Sequence, residues 1–104
     1  MSDAFYSTGS WQPLAGQEEP FLEAWTEFSS WAGSQPGAAG AAVLARDLRD
    51  RERFISFMPW ESLDAIQAWK AHDEFKQRMS GVQAFVDKFA PTETEVVARA
   101  RRTA

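Results

Sequence analysis

The 104-residue chain has room for one domain built on one core, and its 44% hydrophobic and 25% charged residues are those of an ordinary globular protein. A formal net charge of −4 argues against nucleic acid as a partner, because phosphate binding needs a basic face. Cysteine is absent, which excludes disulfides, thiolate catalysis and Cys-ligated metals.

The pattern predicts a first strand over Ala4 to Trp11, with Phe5, Ser7, Gly9 and Trp11 on one face and Tyr6, Thr8 and Ser10 on the other. Pro13 to Gly16 reads as a turn. A helix follows from near Gln17: Glu18 and Glu19 suit its positive end, Pro20 is tolerated in the first turn, and Phe21, Leu22, Trp25, Phe28 and Ala32 form an apolar stripe. Gly33-Ser34-Gln35-Pro36-Gly37 ends it. Ala38 to Asp47 alternates as a second strand rich in small residues, and Arg49 to Glu52 is a charged turn. Arg53 to Trp60 is the clearest strand, apolar on both faces. Ser62 is placed to cap the next helix, whose inner face carries Leu63, Ile66 and Trp69. The helical pattern breaks at Ala71-His72-Asp73 and resumes with Phe75, Met79, Val82, Phe85 and Phe89, which predicts two short helices or one kinked helix. Pro91 is expected to stop that helix, with a last strand over Glu93 to Ala100.

The order is β-α-β-β-α-β, an α+β, ferredoxin-like arrangement with a four-stranded antiparallel sheet and helices on one face. The strands are apolar on both sides, so a second copy is the simplest cover for the other face, giving a dimeric α/β barrel. Met1-Ser2-Asp3-Ala4 has neither the basic nor the apolar region of a signal peptide, and no apolar run is long enough to span a bilayer. The expectation is a single domain over residues 1–104, cytoplasmic and homodimeric, with no membrane or nucleic-acid partner.

The segment Trp60-Glu61-Ser62, then Asp64-Ala65 and Ala68-Trp69, resembles the antibiotic biosynthesis monooxygenase domain, a branch of the dimeric α/β-barrel superfamily. Phe21-Leu22-Glu23-Ala24-Trp25 and Pro36-Gly37 are similar to that family too. The resemblance implies a homodimer with one pocket per subunit, between sheet and helices. The family includes cofactor-free oxygenases of phenolic polyketides, haem-degrading enzymes, quinol oxidases and isomerases. In the quinone-forming members the tryptophan matching Trp69 lines the pocket, and an asparagine one turn earlier assists substrate binding; here that position is Ala65, which cannot hydrogen-bond. In haem degraders the iron-ligating position on this helix falls near Arg78, and a guanidinium has no lone pair to offer iron. With one histidine in the chain, His72, a metal is not expected.

Five Trp and eight Phe supply walls for a flat ligand as readily as a core. Trp25, Phe28, Trp60, Phe75 and Met79 are candidate substrate-binding residues, with Tyr6 and Ser10 as hydroxyl donors. Trp69, Arg78 and His72 are the catalytic candidates. Each has a plain alternative: Trp69 as a core anchor, Arg78 as a surface ion pair with Glu74, and His72 as a surface side chain at a helix break. The segment Gly33 to Gly40 lacks the Lys-Ser/Thr of a phosphate loop, and Arg99 to Arg102 is short enough to be a solvated tail. The leading expectation is a cofactor-independent monooxygenase acting on a small electron-rich aromatic. A ligand-binding domain without turnover, or a cyclase or isomerase using the same pocket, remains open.

Overall fold

The computed structural model describes residues 5–102. A four-stranded antiparallel sheet, in the order β2-β3-β1-β4, carries three helices on one face. The elements are β1 (Phe5–Pro13), α1 (Glu18–Gly33), β2 (Val43–Arg46), β3 (Phe54–Trp60), α2 (Leu63–Lys70), α3 (Phe75–Gln83) and β4 (Val86–Glu95). This is the ferredoxin-like α+β arrangement, with the second helical segment divided in two at the predicted break. Ala4 lies outside the described residues. No helix among those described is long and apolar enough to cross a membrane.

The alternation read from β1 and β3 decides what faces the helices. Gly9 and Trp11 of β1, and Phe54, Met58 and Trp60 of β3, are buried with Phe21, Trp25, Phe28 and Ala32 of α1. Ile66 and Trp69 of α2 and Met79 and Val82 of α3 close this core. Ser62 caps α2, its Oγ accepting from the Ala65 amide at 3.0 Å. Arg46 ties edge strand β2 to the start of α1: its guanidinium donates to both carboxylate oxygens of Glu18, at 3.1 and 2.6 Å, and lies 4.7 Å from the Phe54 ring centroid. That bond from Arg46 holds the Glu18 carboxyl below its ordinary value.

Two elements differ from the sequence expectation. β2 is shorter than Ala38 to Asp47, although Ala38 still bridges to Trp60 and the Ala39 amide donates to the Pro59 carbonyl at 3.0 Å. Pro59 has no N–H, so the ladder beside it is broken and regular pairing resumes only at Val43 opposite Phe57. The last strand begins at Val86, not Glu93, and Val96 and Val97 lie beyond it. Phe89 therefore belongs to a strand rather than to a helix. A register shift leaves Asp87 unpaired between Val86, opposite Pro13, and Lys88, opposite Gln12. This bulge puts Val86 and Phe89, three residues apart, on one face, which imitates a helical spacing. Pro91 sits within β4, opposite Gly9, because β4 is a sheet edge where a missing N–H costs little.

Candidate active site

A cavity of about 230 Å³ opens between the sheet and the helices. Trp25, Phe28 and Ser29 of α1, Trp69 and Lys70 of α2, and Phe75, Met79 and Gln83 of α3 form one side. Ser7 and Trp11 of β1, Ser56 and Met58 of β3, and Phe89 and Pro91 of β4 form the other. Two larger depressions, of about 430 and 510 Å³, mix charged and apolar residues, and each has a single aromatic residue in its lining, Phe28 and Phe54 respectively.

The aromatic rings are locked to one another. Trp69 stacks on Trp60 with centroids 4.9 Å apart, and the ring of Phe75 meets Trp69 edge-on at 5.0 Å. Phe28 contacts both Trp69 and Phe75, at 5.8 and 5.7 Å. On the sheet, Trp11 stacks on Phe89 at 4.0 Å. Gly9 makes that stack possible: a Cβ there would lie 2.9 Å from Trp11 Nε1, 3.0 Å from Ser56 Oγ and 3.2 Å from Phe89.

Three indole N–H groups face this region, with different fates. Trp11 Nε1 donates to Ser56 Oγ at 2.9 Å, and Trp60 Nε1 donates to Ser7 Oγ at 3.0 Å. Both serine hydroxyls keep a proton of their own to donate. Trp69 is only 7% exposed, and its Nε1 is buried without a hydrogen-bond partner. A buried donor without a partner costs about 1–3 kcal/mol, and Trp69 carries that cost within the cavity wall.

Of the residues singled out from sequence, Trp25, Phe28, Trp69, Phe75 and Met79 meet in the cavity wall. Trp60 is fully buried behind Trp69 and supports it. Tyr6 and Ser10 alternate with the helix-facing residues of β1 and lie on the opposite face of the sheet, where Ser10 Oγ accepts from Arg53 Nε at 2.8 Å. Arg78 and His72 lie outside the cavity. Arg78 donates from Nε to Glu74 Oε1 at 2.9 Å and lies 4.9 Å from the Trp31 ring. His72 accepts from the Glu74 amide through Nδ1 at 3.0 Å, with its ring edge on Trp31. Ala65 is also outside the wall; it packs against Gly37, whose positive φ of 87° brings the loop so close that a Cβ there would fall 2.4 Å from the Ala65 methyl. Sequence reasoning missed Lys70, Ser7, Ser56 and Gln83 as wall residues. Ser7 carried a usable signal, since it shares a strand face with Trp11. Among the described residues no cluster of three or more His, Asp or Glu could hold a metal ion.

The model of the antibiotic biosynthesis monooxygenase family matches residues 4–80. The chain belongs to that family. The fold agrees with solved structures at low identity. A Deinococcus radiodurans protein carrying the antibiotic biosynthesis monooxygenase designation is 15% identical, with TM-score 0.80 over 96% of this chain and 99% of that one. An asparagine-to-alanine variant of SnoaB, a cofactor-independent oxygenase from Streptomyces nogalater, is 17% identical, with TM-score 0.77 over 97% and 96%. A conserved protein of Methanosarcina mazei is 12% identical, with TM-score 0.79 over 92% and 95%. No curated protein matches the sequence.

Proposed function

We propose that this family member is a cofactor-independent oxygenase that converts a phenolic aromatic to a quinone in the cavity between sheet and helices. The observation that carries the reading is Trp69: a buried indole N–H without a partner, on a residue that lines a cavity together with Trp11, Trp25, Phe28, Phe75 and Phe89. That N–H would hold the oxygen of a ring substrate, while Trp25, Phe28, Phe75 and Met79 keep water from the ring. The chemistry needs no external reductant. A phenol whose para carbon bears hydrogen takes one atom of O₂ as the new carbonyl oxygen. The other atom leaves as water with the para and phenolic hydrogens, and the substrate supplies all the electrons. The similarity in fold to SnoaB supports the reaction class.

The same reading includes a homodimer. Val43, opposite Phe57 on the face away from the helices, is 53% exposed and Phe57 is 41% exposed, beside Ile55. An apolar sheet face of this kind is best covered by the same face of a second copy.

The test is oxygen uptake with phenol and 1-naphthol, each of which bears hydrogen on the carbon para to its hydroxyl. Quinone formation with one O₂ consumed per product, lost in Trp69→Phe, is the expected result. No uptake above that variant across the panel would sink the proposal. A second reading, binding without turnover, is favoured by a wall that, among the described residues, contains no histidine and no carboxylate. A ligand that co-purifies in native mass spectrometry, with no oxygen consumed, would favour it.

A further inference from the structure

We infer that Lys70 is the anion-holding residue of the cavity, that Glu93 is the counter-ion it gives up, and that the ligand is a one- or two-ring aromatic bearing an anionic oxygen. This rests on the reading that the cavity is the ligand site, and it names what the site takes.

Among the described residues, Lys70 is the only charged one in the cavity wall. It follows Trp69 directly, so two residues of the last turn of α2 line the cavity side by side, one cationic and one aromatic. Its ammonium pairs with Glu93, which stands opposite Ser7 in the β1–β4 register, on the helix-facing side of the sheet. The pair therefore spans from helix to sheet beside two wall residues, Ser7 and Pro91. Both partners are partly exposed, at 30% and 40% of their side chains, whereas Trp11, Trp25, Phe28 and Trp69 of the wall are buried. This marks the wet end of the cavity. An ion pair open to water is weakly held, and an ammonium carries three donors, so exchanging Glu93 for a ligand oxygen is cheap. Further in, the ligand meets the Trp69 indole, which lines the cavity beside Lys70. The ring would then lie among Trp25, Phe28, Phe75 and Met79.

The size limit comes from the volume. A cavity of about 150 Å³ holds benzene, and pockets for drug-sized ligands begin at about 300 Å³. At about 230 Å³ this one lies between them. On the sheet side the wall includes the Trp11–Phe89 stack, which the absence of a Cβ at Gly9 allows.

Calorimetric titration of the intact protein, without oxygen, tests this. The probes are naphthoate, its neutral amide and anthracene carboxylate, with nitrophenol as the phenolate source. Naphthoate should bind about tenfold more tightly than the amide. Lys70→Met should abolish that preference while leaving amide binding in place, and Glu93→Gln should strengthen naphthoate binding several-fold. Anthracene carboxylate should bind at least about tenfold more weakly than naphthoate. Bound nitrophenol should ionise at lower pH than free nitrophenol, and Lys70→Met should remove that shift. If only one of naphthoate and nitrophenolate depends on Lys70, it identifies the anion as carboxylate or phenolate. The inference is overturned if Lys70→Met weakens acid and amide equally, or if the preference survives it. Weaker naphthoate binding in Glu93→Gln would make Glu93 a support for Lys70 rather than its competitor, and equal binding of anthracene carboxylate would remove the size limit. Intact naphthoate binding with no oxygen uptake on any phenol would defeat the oxygenase reading and leave this one standing.

Discussion

Trp60 and Trp69 stack at 4.9 Å with their ring planes 30° apart, yet only Trp60 has a partner for its N–H, at Ser7 Oγ. Packing and hydrogen bonding are thus separated between two adjacent rings. One anchors the sheet to the helices, and the other lines the cavity with its own N–H buried and without a partner.

Replacing each ring should therefore have opposite consequences. Trp69→Phe keeps most of the stack and removes the buried donor, so thermal unfolding should change little while affinity for oxygen-bearing ring ligands falls about tenfold. Trp60→Ala should cost about 3–5 kcal/mol in chemical denaturation, since it empties a fully buried site and strands the Ser7 hydroxyl.

Gly9→Ala places a methyl within 3.2 Å of Trp11, Ser56 and Phe89 together. We expect a loss of about 1–3 kcal/mol, as for other overpacked sites. Near-ultraviolet circular dichroism should change, because Trp11 must leave either Phe89 or Ser56. An unchanged spectrum with full stability would show that the stack tolerates the methyl.

Gly37→Ala should be the more damaging of the two glycine substitutions. It combines a left-handed backbone, costing about 1–2 kcal/mol, with a 2.4 Å approach to the Ala65 methyl on α2. Because Glu61 donates its amide to the Gly37 carbonyl at 2.8 Å, the entry to α2 should loosen as well, which hydrogen exchange of the α2 amides would report.

Phe57→Glu puts a charge on the exposed apolar face of the sheet, opposite Val43. Light scattering should find the wild type as a dimer and the variant as a monomer with its helical circular dichroism intact. A variant of unchanged mass would place the dimer contact elsewhere.

Acid should act on the Glu18–Arg46 pair. The guanidinium bond lowers the Glu18 pKa from its ordinary 4.5, so the pair's contribution is complete above that value. It is lost as pH falls through the lower, folded value. Glu18→Gln should flatten this part of the acid branch in a series of melting temperatures. A remainder from Asp47 should persist, since its carboxyl is lowered first by the Arg49 amide and also by Arg53.

Strand and helix faces, the Ser62 cap, the break after Lys70 and the family are all legible along the chain. Each is written in spacing along one element, where period and chemistry are local. The sequence could not separate Phe89 from a helix, because the Asp87 bulge turns a strand into a pattern with helical spacing. Nor could it sort the polar candidates. Tyr6 and Ser10 have the right chemistry on the wrong face, and Arg78 and His72 are held beside Trp31, outside the cavity. What only the tertiary structure decided is which groups meet. Trp69 loses water without gaining a partner, Lys70 turns into the wall beside it, and Ala65 is spent against Gly37. The physical reason is that burial and pairing depend on distances between elements far apart in the chain, and no periodicity within one element encodes them.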